Sequence, residues 1–107
     1  VMPQARLKAT HGFHATMRAR PGRADALIDA LLAGAPTSNE NCLVYLVGRS
    51  SSEPDVIDVT EGWTSKEAHA EAFASASAQA LIARLAPLVT DAAQYRDVVP
   101  VGGSVRG

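Results

Sequence analysis

The sequence predicts a single α+β domain in the order strand, helix, strand, strand, helix, strand, with one antiparallel sheet and both helices on one of its faces. Two patterns and one number carry that expectation. Apolar and polar residues alternate along 12–20 and 56–63, the period of a half-buried strand, whereas 24–32 and 81–89 show the spacing of an amphipathic helix. The length, 107 residues, falls at the usual size of one domain, about 100–150 residues.

In the first strand, Phe13, Ala15, Met17 and Ala19 form one apolar face, and His14, Thr16, Arg18 and Arg20 form the other. Pro21-Gly22 ends it, and a stripe through Ala24, Leu27, Ile28, Leu31 and Leu32 defines a helix closed by Gly34 and Pro36. After the polar loop 37–41, the run Cys42-Leu43-Val44-Tyr45-Leu46-Val47 reads as a strand buried on both faces. Ser50-Ser51-Ser52-Glu53-Pro54-Asp55 has hairpin chemistry, and Val56 to Trp63 follows, with Ile57, Val59, Glu61 and Trp63 on one side. Thr64-Ser65-Lys66-Glu67 has capping-box spacing and starts a helix immediately after Trp63. That helix carries His69 and Phe73 on one face and continues past Ser75–Ser77 through Leu81, Ile82, Leu85, Leu88 and Val89, with Pro87 kinking or ending it. Tyr95 to Val101 is the last strand. The domain is expected over 11–103, flanked by flexible segments at 1–10 and 104–107.

Composition narrows the function. Ten Lys and Arg against eleven Asp and Glu leave a formal charge of −1, and no basic run is interleaved with aromatics, which argues against nucleic acid. No apolar stretch approaches the ~20 residues that cross a bilayer, and no signal segment opens the chain, so a cytoplasmic protein without a membrane partner is expected. One cysteine, Cys42, makes neither a disulfide nor a structural zinc site and reads as a small buried hydrophobe. No nucleotide or metal signature is present, so no cofactor is expected. The face of the sheet away from the helices needs an apolar cover, and a second copy of the sheet is the simplest one, giving a two-fold homodimer.

The chain resembles the antibiotic biosynthesis monooxygenase (ABM) domain family, a branch of the dimeric ferredoxin-like α/β barrels. The likeness rests on Arg18-Ala19-Arg20-Pro21-Gly22-Arg23, Asn41-Cys42-Leu43-Val44-Tyr45, Ser52-Glu53-Pro54-Asp55 and Glu61-Gly62-Trp63-Thr64-Ser65-Lys66-Glu67-Ala68, in that order across 12–103. It implies two sheets forming a barrel in a homodimer. It also implies a cofactor-free monooxygenase that acts with O₂ on a phenolic, quinol or anthrone-type aromatic, the deprotonated substrate itself donating electrons. The alternative is a non-catalytic small-ligand-binding dimer of the same fold. Asn41 replaces the family's usual glycine, a position that asparagine tolerates. Ala72 stands where many members carry a histidine, and Thr16 where haem-degrading members carry an asparagine, so a haem role loses its support.

Seven residues become candidates. His14, Glu61 and His69 are the candidate acid-base groups: a neutral imidazole or a buried carboxylate of raised pKa accepts a phenolic proton near neutral pH. Thr16, Tyr45, Trp63 and Phe73 are the candidate substrate contacts. His14 and Thr16 are expected to face a pocket between the sheet and its dimer-related partner. His69 stands in for the missing histidine from a displaced position on the same helix face, and Arg84 and Arg96 are secondary anion contacts.

Overall fold

Alternation along the strands and a break at Ser75 set the architecture, which the computed structural model describes for residues 8–103. The elements are β1 (His11–Arg18), α1 (Ala24–Ala33), β2 (Cys42–Arg49), β3 (Val56–Trp63), α2 (Lys66–Ala74), α3 (Ala76–Leu85), a 3-10 turn at Ala86–Leu88, and β4 (Gln94–Val98). The four strands form one antiparallel sheet in the order β2-β3-β1-β4, the ferredoxin-like arrangement. The expected tails at 1–10 and 104–107 fall mostly outside the described residues. Of the remainder, Ala9 is buried and the Thr10 N–H donates to the Trp63 carbonyl at 3.0 Å, so the packed chain begins before residue 11.

The helix side of the sheet holds the core. Ala15 and Met17 of β1, Ile57 and Val59 of β3, and Leu27 and Leu31 of α1 close on one another. Leu27 and Ile57 are fully buried, each contributing about 1.5–3 kcal/mol of transfer free energy. The turn into α1 runs Arg20-Pro21-Gly22-Arg23, closed by Arg23 N–H to the Arg20 carbonyl at 2.9 Å; Gly22 takes φ +77°, where a side chain would be strained. The β2–β3 hairpin is tied by Ser50, whose Oγ accepts from the N–H groups of Ser52 and Glu53.

Four expectations are corrected. The residues 64–89 do not form one continuous helix. Ser75 adopts an extended conformation (φ −66°, ψ 155°), donates its hydroxyl to the Ala72 carbonyl at 2.6 Å, and accepts from Ala78 N–H at 3.2 Å, so it closes α2 and caps α3. The cap of α2 is Ser65, accepting from Ala68 N–H at 3.0 Å, because the Thr64 hydroxyl is spent on Asn41 Oδ1. β2 is not buried on both faces: Tyr45 and Val47 pack on the core, but Leu43 and Leu46 are exposed in the single chain, as is Leu32 at the end of α1. The last strand ends at Val98, and Val99 and Val101 are exposed beyond it.

Gly34 sets the contact between α1 and α3, since a Cβ there would lie 2.6 Å and 2.7 Å from the methyl carbons of Leu81. Gly34→Ala is therefore expected to destabilise the fold by about 1–3 kcal/mol through overpacking. Chemical denaturation measures this, and an unchanged midpoint would show that α3 shifts freely.

Candidate functional site

The helix side of the sheet also carries a cavity of about 1140 Å³, roofed by α2, α3 and the loop after α1. Its aromatic walls are Phe13, Trp63, Phe73 and Tyr95, and its polar lining includes Glu61 and His69. Strand parity places these groups. Register pairs Phe13 with Glu61 across β1 and β3, Tyr45 with Glu61 across β2 and β3, and His11 with Trp63 at the strand end. All five side chains therefore project toward the helices.

Trp63 is buried at 2% exposure and donates its indole N–H to Glu61 Oε1 at 2.8 Å. The same carboxylate oxygen is 3.7 Å from His69 Nε2, and these two side chains keep only 14% and 17% of their surfaces exposed. On its other edge, His69 Nδ1 is 3.1 Å from Nε2 of His11. The His69 ring lies between the rings of Trp63 and Phe13, with centroids at 5.2 Å and 4.9 Å. Burial pushes the Glu61 carboxyl above the usual carboxylate range, and the Trp63 hydrogen bond offsets part of that rise. Burial also pushes the His69 imidazole down, reinforced by His11 and opposed by Asp97. The two affinities move toward each other, which lowers the cost of proton exchange between carboxylate and imidazole.

Tyr45 plays a different part. Its hydroxyl donates to the Leu31 carbonyl at 3.1 Å, and burial, with Glu61 next, pushes its pKa up to about 12. It is a fixed donor that ties β2 to α1. Cys42 is pushed up to about 11 by burial and then by Glu61, so its thiol is not a nucleophile at neutral pH. Among the described residues, no three His, Cys, Asp or Glu side chains are arranged to hold a metal ion, and no helix is long and apolar enough to cross a membrane.

The structure thus brings Glu61, Trp63, His69, Tyr45 and Phe73 to one cavity, which lies beneath the helices and not on the open face of the sheet. His14 and Thr16 are on that open face. Phe13 and Ala15 point to the helices, so the residues alternating with them point away, and there Thr16 donates to Asp58 Oδ1 at 2.9 Å while His14 Nδ1 is 3.2 Å from Thr60 Oγ1. Arg84 lines the cavity, whereas Arg96 pairs with His14 across β1 and β4 on the open face. Ala72 lines the cavity near His69. The sequence reading missed His11, which a strand one residue longer would have placed in phase with Phe13 and Ala15.

The two shifts have opposite consequences for pH and stability. With its folded pKa raised, Glu61 favours the folded state at acid pH, and that contribution is lost as pH rises from the ordinary carboxylate range through the raised value. With its folded pKa lowered, His69 contributes stability above the ordinary imidazole range, lost as pH falls through it toward the lowered value. Glu61→Gln keeps an acceptor for the Trp63 N–H and removes the first effect. The variant is expected to melt above the parent at about pH 8 and to converge with it near about pH 4. Thermal melts across that range decide; a gap that widens on acidification would mean that Glu61 is held ionised.

Comparison with known proteins identifies the fold and the family. The family model described as antibiotic biosynthesis monooxygenase matches residues 10–84. The structure superposes with a TM-score of 0.81 and 40% identity on a protein from Chloroflexus aurantiacus J-10-fl named as a candidate antibiotic biosynthesis monooxygenase, covering 92% of this chain and 100% of that one. A Deinococcus radiodurans protein named in the same way gives 26% identity and a TM-score of 0.75, covering 90% and 96%. A Mycobacterium tuberculosis protein at 21% identity shares the fold, with a TM-score of 0.78 over 91% and 100% of the two chains. No curated protein matches significantly. With more than half of its length matched by the family model and a 40% identical neighbour aligned over nearly the whole chain, this protein belongs to the antibiotic biosynthesis monooxygenase family.

Proposed function

We propose that the chain is a cofactor-independent monooxygenase that oxygenates a phenolic, quinol or anthrone-type aromatic. The observation that carries this reading is the Glu61 and His69 pair set into the wall of an aromatic-lined cavity. A flat substrate fits against the Phe13, Phe73 and Tyr95 walls of the cavity, with an acidic hydroxyl directed at the pair. Loss of that proton makes the ring electron-rich, and the substrate then reduces O₂ itself. For an anthrone, the ring CH₂ is converted to C=O while O₂ supplies one oxygen to the product and one to water, so no external reductant is needed. The protein's part is to hold the substrate, take the proton and keep bulk water away. The alternative of a ligand-binding dimer without a proton acceptor is disfavoured because both Glu61 and His69 face the cavity.

The homodimer belongs to the same proposal. Leu46 is 63% exposed on the open sheet face, with Val44 on the same side of its strand, and this apolar β2 edge supports a partner sheet. Light scattering is expected to return twice the chain mass of 11.2 kDa. With that dimer in metal-free buffer, anthrones or quinols are expected to consume O₂ and release water without free peroxide. Glu61→Gln is expected to lower kcat by about 100-fold or more. Absence of O₂ uptake from the folded protein across a broad panel would overturn the oxygenase reading.

A further inference from the structure

Four polar side chains from four different elements run from the cavity to solvent. Glu61 of β3 is followed by His69 of α2 at 3.7 Å, by His11 of β1 at 3.1 Å from His69, and by Asp97 of β4 at 3.6 Å from His11. The His11 side chain is 9% exposed and that of Asp97 is 70% exposed, so the line ends in water on the side away from the cavity. Trp63 and Phe13 cover His69 with uncharged rings, and Glu71 of α2 and Arg84 of α3 line the same cavity.

At 3.1 Å the two facing nitrogens share one hydrogen. If His11 Nε2 carries it, His69 Nδ1 accepts, and a neutral His69 must hold its own hydrogen on Nε2, directed at Glu61. If His69 Nδ1 carries it, His69 Nε2 is a free lone pair facing the cavity. The proton on His11 therefore decides whether His69 is a donor or a base toward the cavity.

We propose that His11 is a positioning residue and the proton outlet of the cavity: it sets the tautomer of His69 and removes the proton that His69 receives, with the Asp97 carboxylate stabilising the imidazolium that forms. The proposal rests on the oxygenase reading only for the origin of that proton. The substrate hydroxyl gives H⁺ to His69 Nε2, and the His69 Nδ1–H bond breaks as its proton moves to His11 Nε2. His69 is then neutral with hydrogen on Nε2, and His11 is an imidazolium stabilised by the Asp97 carboxylate; its Nδ1–H bond breaks to release a proton to solvent, and the Nε2 hydrogen stays shared with His69 Nδ1. The reverse path returns a proton and restores the tautomer. No electrons move in these steps.

Imidazole NMR on the full chain tests this without a substrate. In the parent, the His69 titration is expected to depart from a single step, because His69 Nδ1 lies 3.1 Å from His11 Nε2. His11→Gln, which keeps an amide donor near the Nε2 position but takes up no proton, is expected to leave His69 with a single step and the Nε2–H tautomer. Asp97→Asn, at an exposed position, is expected to move the His69 midpoint down. A His69 titration and tautomer identical to the parent in both variants would overturn the proposal. Where a substrate turns over, His11→Gln is expected to reduce kcat at least about tenfold with KM unchanged and to be rescued by imidazole in the buffer. Undiminished kcat in that variant would also overturn the outlet. If the panel gives no turnover while the coupled titration is present, the oxygenase reading fails and the proton coupling stands.

Discussion

The antiparallel register of β1 against β3 is the constraint on which the site depends. Pairing His11 with Trp63 and Phe13 with Glu61 puts all four side chains on the helix side of the sheet. A slip of one residue would send Glu61 and Trp63 to the open face and bring Thr60 and Gly62 under the helices. The core enforces the correct register, because Ala15, Met17, Ile57 and Val59 lie on the same face as the site and would be lost to solvent with it. Stability and chemistry are thus fixed by one choice of pairing.

Trp63 links the two. Its body is among the largest fully buried side chains, and its indole N–H meets Glu61 Oε1. The hydrogen bond holds the carboxylate at the cavity wall while burial raises its proton affinity, and His69 answers from α2 with a lowered one. α2 can present His69 there because Ser65 caps it directly after β3, and because Ser75 ends it before the chain turns into α3. The break at Ser75 gives the cavity two roof helices in place of one long rod.

Period-two and helical patterns made the six principal elements legible, and the shared side of Ile57, Val59, Glu61 and Trp63 was readable directly from alternation. What sequence could not supply was which sheet face the cavity adjoins. That depends on helix packing, so His14 and Thr16, on the polar face of β1, belonged equally to either arrangement. Ser75 was legible as an interruption but not as a double cap, because its two hydrogen bonds involve backbone groups whose geometry follows only from the fold. His11 was hidden by a strand start set one residue late. Its partner His69 is distant in sequence, and only the packing of α2 on β1 brings the two rings to 3.1 Å.

In the proposed reaction Glu61 and His69 receive the acidic hydroxyl of an aromatic held against Phe13, Phe73 and Tyr95. The most direct measurement is a crystal structure of the protein with a redox-inert hydroxynaphthalene. The ring is expected inside the cavity, stacked on aromatic walls, with its oxygen within hydrogen-bond reach of Glu61 or His69. A ring bound on the open sheet face beside His14, or one whose hydroxyl points away from both groups, would contradict it.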